Sequence, residues 1–389
     1  MKILIASFSF PPGKDGVSEA CATMASGFVS KGWEVAVTAA PTEPARTSLI
    51  WQDVTIHEIS ISGAGSPKHP YQGDVNAYRQ LVKDGNWDAI LFQTASWPLM
   101  VVLDLLPTLR ARCVMVSHGY APLQWVRMAR FPYGIPTWLW SIYQSVRMIF
   151  WLKHIDRAVF LSDRADFHGF YDHFLAKLVR HPGRRVIPNG VDPEVRGTDP
   201  TSFREHHGIA ADALMFVCVA NYSRRKDQGY AARSFRHAAI PGSVLVFIGS
   251  DFNECSAAFQ AEDGRWSDQS RNERILWLEK QDRPSTLNAV ASADVFVLSS
   301  NHEAQPIALL EAMREAKPWI ARQAGCIPEI PGGICTHSET AMSDAMKKLA
   351  TDPALREALG SEGRAAVAHT YNRKTYQKSY CEMLGEFAT

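Results

Sequence analysis

Glu303 and Glu311, two glutamates eight positions apart, are the residues whose type and spacing point most clearly to chemistry. A buried strand is expected to end near Ser299, and Pro306 suits the first turn of a helix that continues from Ile307. Both carboxylates would then lie beyond a strand end, where open α/β sheets bind ligands. Because a helix N-terminus suits phosphate and a carboxylate can accept two hydroxyl hydrogen bonds, the pair could hold a ribose and a hexose on either side of a diphosphate.

The alternative is that Glu303 is a solvated loop residue and Glu311 an exposed helix residue, as glutamates usually are. The two residues alone do not decide between a ligand-binding role and a solvated one. The decision depends on the strands and helices that position them.

Short β-rich apolar runs alternate with helical patterns along all 389 residues, which predicts an α/β protein with parallel sheets and crossover helices. A turn-rich stretch, residues 186–194, separates two such blocks. We predict Rossmann-like domains over residues 1–188 and 189–370, and a C-terminal helix over 371–389 that can cross back to the first domain. The predicted strands are Lys2–Phe8, Glu34–Ala39, Ala89–Gln93, Cys113–His118, Arg157–Leu161, Leu214–Ala220, Ser243–Ile248, Arg274–Leu278, Asp294–Leu298 and Pro318–Ala321.

Composition excludes several classes of protein. A net charge of +1 gives no global indication of nucleic-acid binding. The 7 cysteines are spread without a C-x-x-C, which favours a reducing compartment and argues against a disulfide framework or zinc site. No D-x-D or His/Asp cluster has metal-ligand spacing, and no apolar run approaches the ~18 residues of a membrane span. We expect a cytoplasmic protein without a metal.

Three further loops carry candidate residues. Arg225 and Lys226 follow an expected strand, where their charge would neutralise a diphosphate, although such runs are usually solvated basic turns. Gly16 lacks a Cβ, so its backbone can approach a phosphate, but Asp15 puts a negative charge beside it. His118 ends another expected strand and can donate or accept at a sugar hydroxyl; alternatively it is a capping or core-edge histidine.

Residues 293–313, "ADVFVLSSNHEAQPIALLEAM", resemble the E-x7-E signature of glycosyltransferase family 4. The resemblance implies the GT-B fold, in which two Rossmann-like domains with parallel sheets face a central cleft. It places Glu303 with the transferred sugar and Glu311 with the nucleotide ribose. It also implies transfer with retention, the first domain binding the acceptor and the second the nucleotide sugar.

The resemblance extends over nearly the whole chain. Residues 8–19 are similar to the family's glycine-rich loop, with Asp15-Gly16 in place of its glycine pair, and residues 114–119 to the strand that ends in a sugar-contacting histidine. Residues 219–228 resemble the phosphate loop G-R-x-x-x-K-G, in which Lys226 matches the lysine and Asn221 replaces the arginine. Arg225, with its neighbour Arg224, could supply the missing cation. The catalytic residues implied are His118, Glu303 and Lys226, and the donor-binding residues are Gly16, Asn221, Arg225, Lys226, Gly249, Glu303, Pro306, Ile307 and Glu311.

The function implied is transfer of a hexosyl unit from a UDP-, GDP- or ADP-sugar to a sugar or lipid-linked acceptor, without a cofactor, in cell-surface polysaccharide or glycolipid synthesis. One alternative is a nucleotide-sugar epimerase or hydrolase of GT-B type. Another is a non-catalytic glycosyltransferase-like binding protein, since Asn221 and Asp15 depart from the family pattern.

Residues 120–157 differ from the rest of the chain, because four tryptophans are interleaved with arginines and lysine and only one residue is acidic. This pattern suits the interface of an anionic membrane or an apolar, phosphate-bearing acceptor. A tryptophan-rich helix packed in the first domain would show the same composition. The membrane interpretation predicts a peripheral protein on the inner face of the membrane.

Overall fold

The structure is a computed structural model of the 389-residue chain. It describes residues 1–13, 15–43, 45–63, 65, 69–94, 96–119, 134–164, 170–265 and 272–387, and only the backbone at 134–141 and 144.

The chain divides into two compact units. The first unit comprises Met1–Asn189 and Lys374–Thr389, and the second comprises Gly190–Arg373. The divisions fall after residues 189 and 373, whereas the sequence pattern predicts them after 188 and 370.

The first unit contains a mainly parallel sheet of eight described strands in the order β10-β9-β8-β7-β1-β2-β4-β3, in which β3 is antiparallel to β4. The order reverses at β1, because β2 lies on one side of it and β7 on the other. The described elements are β1 (Lys2–Ala6), α1 (Gly16–Ser30), β2 (Glu34–Ala39), β3 (Ile50–Trp51), β4 (Val54–Glu58), β5 (Ile61–Ser62), β6 (Gln72–Gly73), α2 (Val75–Asp84), β7 (Ala89–Gln93), α3 (Trp97–Met100), β8 (Arg112–Val116), α4 (Gly134–Leu152), β9 (Arg157–Phe160), α5 (Tyr171–Leu178) and β10 (Arg184–Val186).

The second unit contains a parallel sheet of six described strands in the order β13-β12-β11-β14-β15-β16, the doubly wound order with its switch point between β11 and β14. Its elements are α6 (Pro200–His206), β11 (Met215–Val219), α7 (Gln228–Ala238), β12 (Val244–Ile248), α8 (Glu254–Gly264), β13 (Arg274–Leu278), α9 (Arg283–Ser292), β14 (Val295–Leu298), α10 (Ile307–Arg314), β15 (Trp319–Arg322), β16 (Gly333–Thr336), α11 (Glu339–Thr351) and α12 (Pro353–His369). The last helix, α13 (Arg373–Gly385), belongs to the first unit from Lys374 onward.

Every predicted strand corresponds to an observed one, but several end earlier than predicted. β1 ends at Ala6 and β8 at Val116, so His118 lies in a loop two residues beyond its strand. The strands β3, β4, β5, β6, β10 and β16 were not predicted. All of them except β4 have two to four residues, too few to show a clear apolar pattern.

The C-terminal helix α13 packs into the core of the first unit. Tyr376, Tyr380 and Leu384, which recur at four-residue steps, are all buried there. Gln377 lies directly against Gly27 of α1, where a Cβ atom would come within 2.7 Å of its side chain. The helical periodicity of the tail was therefore a sound indication of a packed helix.

The described part of the tryptophan-rich segment, residues 120–157, is buried at some positions and exposed at others. Residues 120–133, with Trp125, lie outside the described residues. On α4, Trp151 is buried in the core of the first unit, as the interpretation as a packed helix expects. The same helix leaves Tyr143, Val146 and Phe150 exposed. Across the part of the chain that the structure describes, no helix has the length and apolarity needed to cross a bilayer.

Candidate functional site

The switch point of the second unit brings together the two loops that carry Arg225, Lys226 and Glu303, whereas the predicted donor residue Gly16 lies in the first unit. β11 and β14 are neighbours, with Phe216 beside Val295. The loop after β11, residues 220–227, and the loop after β14, residues 299–306, therefore leave the same edge of the sheet side by side. This crevice is where open α/β sheets bind their ligands.

Glu303 is buried and forms an ion pair with Lys226. The Glu303 side chain is 8% exposed, and its Oε1 lies 2.5 Å from Lys226 Nζ. The expectation of a solvated loop glutamate is therefore wrong. A lysine ammonium has three donors, so Lys226 can hold Glu303 and still meet a second anion.

The loop that carries Glu303 is held by a close backbone contact. Gly325 has φ +53°, and a Cβ atom there would lie 2.0 Å from the Glu303 carbonyl oxygen. The next residue, Cys326, donates its N–H to the Ala304 carbonyl at 3.1 Å. A side chain at Gly325 would push the loop and its carboxylate out of place.

Glu311 is also buried, with a side chain 7% exposed, and it pairs with Arg283. Arg283 Nη1 donates to Glu311 Oε2 at 3.2 Å, and Arg283 Nη2 donates to Glu311 Oε1. The pair is bidentate, the geometry in which a guanidinium binds a carboxylate most specifically. The expectation of an exposed helix glutamate is wrong here as well.

The helix α10 begins at Ile307, and Pro306 is its N-cap residue rather than part of its first turn. Pro306 carries no side-chain donor or acceptor, and among the described residues no side chain caps this helix. The Leu309 N–H donates to the Pro306 carbonyl at 3.2 Å. The N–H groups of Ile307 and Ala308 are therefore the ones available to an anion, between Glu303 before the helix and Glu311 in its second turn.

The loop after β11 has a fixed backbone and outward-facing cations. Asn301 donates its backbone N–H to the Arg225 carbonyl and its side-chain N–H to the Arg224 carbonyl, both at 3.0 Å. Arg224 and Arg225 are exposed and form no ion pair with another described residue. Asn221 is exposed, and its carbonyl oxygen accepts a hydrogen bond from Gln228 Nε2 at 3.1 Å.

Gly249 directly follows β12, beside the same loops. A Cβ atom there would come within 2.4 Å of the Tyr222 ring, so glycine is required for this ring to pack. The Tyr222 hydroxyl donates to the Leu278 carbonyl at 2.8 Å. The packing explains the glycine fully, and a donor contact by Gly249 stays a prediction.

In the first unit, His118 lies beside the end of β7. Its Nε2–H donates to Gln93 Oε1 at 2.9 Å, which leaves Nδ1 as an acceptor for a hydroxyl group. Burial lowers the pKa of His118 to about 4, against a smaller opposing effect of the Asp15 charge. The imidazole is therefore neutral at pH 7.

The glycine-rich loop of the first unit carries its own anion. Asp15 is the N-cap of α1 and accepts the N–H groups of Val17 and Ser18 at 2.9 and 3.0 Å. Ser9 Oγ donates to the other carboxylate oxygen. Gly16 is the exposed first residue of this helix. Its predicted role at a phosphate is weakened, because Asp15 already occupies the anion position.

No group of three or more His, Cys, Asp or Glu side chains is arranged to hold a metal ion in the described parts of the chain. Arg283 and Gly325 were not predicted as site residues from the sequence. A cation in the segment after β13 could have pointed to Arg283 in the sequence. The pairing of Arg283 with Glu311, however, depends on how α9 packs beside α10. Gly325 gave no signal, since only its φ and its contact with Glu303 distinguish it.

Residues 199–366 match the family model of Glycosyl transferases group 1. A curated relative aligns over nearly the whole chain: the GDP-mannose-dependent monoacylated alpha-(1-6)-phosphatidylinositol monomannoside mannosyltransferase of Corynebacterium glutamicum. The two sequences are 24% identical over an alignment of 386 positions, which covers 94% of this chain and 93% of that protein. With other curated relatives the chain spans about half of their length or less, from 35% to 52%.

Two solved structures are similar over the whole chain. Sucrose-phosphate synthase from Thermosynechococcus elongatus has a TM-score of 0.76 at 18% identity, over 99% of this chain and 98% of that one. Anabaena HepE in complex with UDP-glucose has a TM-score of 0.75 at 17% identity, over 99% and 100%. The chain has the GT-B fold. With the family model, these likenesses support a glycosyltransferase.

Proposed function

We propose that the protein is a retaining glycosyltransferase that moves a hexosyl unit from a nucleotide sugar to a sugar or lipid-linked acceptor. One observation carries the proposal: two buried carboxylates, Glu303 and Glu311, lie on either side of an uncapped helix start at the switch point of the second unit. The Corynebacterium relative is a GDP-mannose-dependent mannosyltransferase acting on a lipid-linked acceptor, and the HepE structure contains UDP-glucose, which agrees with this substrate class.

The proposed roles follow from charge and position. The diphosphate would meet the first N–H groups of α10 and the cations Arg225 and Lys226, which stabilise the negative charge that develops as it leaves. Glu303 would accept hydroxyls of the transferred sugar, and Glu311 those of the ribose. Neither carboxylate has to act as acid, base or nucleophile. Neutral His118 of the first unit would accept a sugar hydroxyl at Nδ1.

Metal independence is part of the proposal. The cations of the loop after β11 and the N-terminus of α10 would supply the positive charge that a divalent ion supplies in other transferases. Turnover should therefore be unchanged by EDTA, and strict dependence on added Mg²⁺ or Mn²⁺ would contradict this part.

A thermal-shift panel of UDP, GDP, ADP and their hexose derivatives tests the function, since a ligand of the native state raises its stability. We expect one nucleotide series to raise the unfolding temperature, and then transfer of the hexose from that donor to membrane lipid extract. Product analysis without acceptor separates the alternatives. An epimerised or hydrolysed donor would indicate a GT-B epimerase or hydrolase, and absence of any nucleotide-sugar binding would indicate a non-catalytic protein.

We also propose that the first unit docks on an anionic membrane through the exposed face of α4. Arg147 lies over the Tyr143 ring at 5.5 Å, and Lys153 lies over the exposed Phe150 ring at 5.3 Å. Aromatic rings and cations on one exposed face suit the headgroup region of anionic lipids. The helix is fixed from behind by the buried Met148 and Trp151.

Sedimentation with vesicles of phosphatidylglycerol and phosphatidylcholine tests this contact. The intact protein should bind in proportion to the anionic lipid, and the double variant Arg147→Glu/Lys153→Glu should lose binding. Lys347→Glu, an exposed lysine of α11, is the matched control. Equal sedimentation of all three proteins would contradict the membrane proposal and leave the transferase proposal intact.

A further inference from the structure

Arg283 lies beside Glu311 at the proposed donor site, and the roles proposed above do not include it. It is the first residue of α9, and Asp282 caps that helix by accepting the Ser285 N–H at 2.8 Å. The cap fixes the helix start, and with it the position from which the Arg283 side chain reaches Glu311. Arg283 is half exposed, whereas the Glu311 side chain that it binds is 7% exposed.

Two arginines act on the Glu311 carboxylate in different ways. Arg283 makes two hydrogen bonds to it, one to each oxygen. Arg314 is buried one turn further along α10; burial lowers its pKa, and the nearby Glu311 charge opposes that effect. Arg314 forms its ion pair with Glu315 at 3.4 Å and acts on Glu311 only as a nearby positive charge, whereas Arg283 also sets the orientation of the Glu311 oxygens.

The number of lone pairs on the Glu311 carboxylate decides how many hydrogen bonds it can still accept from a ligand. An ionised carboxylate has about four acceptor sites, and the bidentate arginine occupies two of them. One site on each oxygen is left, and both oxygens are held at fixed positions. A vicinal diol matches such a pair of acceptors, because its two hydroxyls can each donate to one oxygen.

We propose that Arg283 is a positioning residue that orients Glu311 to accept the 2′- and 3′-hydroxyls of a nucleotide ribose. This inference rests on the proposed function and adds to it a determinant of ribose specificity. Without Arg283, Glu311 keeps a compensating cation in Arg314 but can rotate, so a donor binds more weakly and the 2′-hydroxyl contributes less to affinity.

Calorimetric titration with UDP, GDP and ADP, each beside its 2′-deoxy form, tests the inference. The wild type should prefer the ribonucleotide of one base by about tenfold, the effect of one well-formed hydrogen bond to a charged group. Arg283→Gln should weaken ribonucleotide binding by about tenfold and bring the ratio of the two dissociation constants close to one. Arg283→Lys, which keeps the charge, should restore part of the affinity but little of the preference, because it lacks the bidentate fork.

A matched control separates positioning from general stability. Arg233 also binds carboxylates in the second unit, Glu339 at 2.6 Å and Glu262 at 3.1 Å. Arg233→Gln should keep the wild-type ratio, even if its unfolding temperature falls. In steady-state kinetic assays, Arg283→Gln should raise the KM for the donor and leave kcat nearly unchanged.

The outcomes distinguish the two proposals. A wild type that prefers the ribonucleotide while Arg283→Gln keeps the same preference overturns the role of Arg283 and leaves the transferase intact. A wild type that binds nucleotides without preferring ribose also overturns it. A wild type that binds no nucleotide at all overturns the proposed function, and the inference with it.

Discussion

The two units differ in the charged groups near the point where each sheet reverses its order: a carboxylate caps the first helix of the first unit, whereas basic side chains follow β11 in the second. In the first unit, Asp15 occupies the N-terminus of α1 and accepts two of its N–H groups. In the second unit, the loop after β11 carries Arg224, Arg225 and Lys226, and the nearby N-terminus of α10 has no side-chain cap among the described residues. A helix start that already holds a carboxylate has little attraction left for phosphate.

The two units therefore offer different groups to a ligand. The second unit offers positive charge and two buried carboxylates, which suits a nucleotide diphosphate flanked by two sugars. The first unit offers a carboxylate and the neutral His118, which suits an uncharged, hydroxyl-bearing group.

The largest effect is expected at Lys226. In the proposed mechanism, Lys226→Ala removes a charged donor from the leaving group. It also leaves Glu303 buried without its partner, so turnover should fall about 10²–10³-fold. Steady-state kinetics with saturating donor measures this loss. Lys347→Ala should behave as wild type, and normal turnover of Lys226→Ala would remove Lys226 from the mechanism.

A smaller effect, on the donor KM, is expected when the exposed cations of the loop after β11 are replaced. Replacing Arg224 and Arg225 by Gln should raise the donor KM about tenfold, since a charge-assisted hydrogen bond contributes roughly 1.5 kcal/mol. Because exposed charges are screened, the difference from wild type should shrink as salt rises from 50 to about 500 mM. A difference that is independent of salt would mean that these residues act through structure.

Substitutions of Asp15, in the loop before α1, should change the stability of the protein more than its donor KM. Asp15→Ala should lower the free energy of unfolding by about 1 kcal/mol, the usual cost of a lost N-cap, and Asp15→Asn should lower it less. The donor KM should change by less than about twofold in both variants. A large gain in donor affinity on removing the carboxylate would show that the loop does contact the diphosphate.

The smallest effect concerns pH and His118. Its pKa in the folded protein is about 4, below the usual 6.5, so between these values the unfolded chain binds more protons and stability falls as pH falls. His118→Gln should weaken this dependence without removing it, since burial also lowers the pKa of His173 to about 4. Urea midpoints at pH 4.5, 5.5 and 7 measure the slopes, and identical slopes would exclude a neutral buried His118.

The sequence indicated the alternating strands and helices and the edge at which Glu303, Glu311 and Lys226 meet, because these follow from local periodicity and from the rule that parallel strands end together. It did not indicate that Lys226 pairs with Glu303, or Arg283 with Glu311. Such pairs depend on strand order and helix packing, which local patterns do not encode.

The charge of Asp15 was visible in the sequence, but its effect was not. Whether an aspartate beside a glycine repels a ligand or caps a helix depends on backbone geometry, here an extended N-cap residue with its carboxylate turned onto Val17 and Ser18. Gly325 is a similar case, since only its φ of +53° and its approach to Glu303 reveal why glycine is needed.

Hydrogen–deuterium exchange, measured with and without the nucleoside diphosphate that raises the unfolding temperature most, shows which unit binds the donor nucleotide. We expect slower exchange in residues 221–228, 279–285 and 303–312 of the second unit when the nucleotide is bound. Protection confined to the first unit, with these three segments unchanged, would contradict the assignment of the donor site to the second unit.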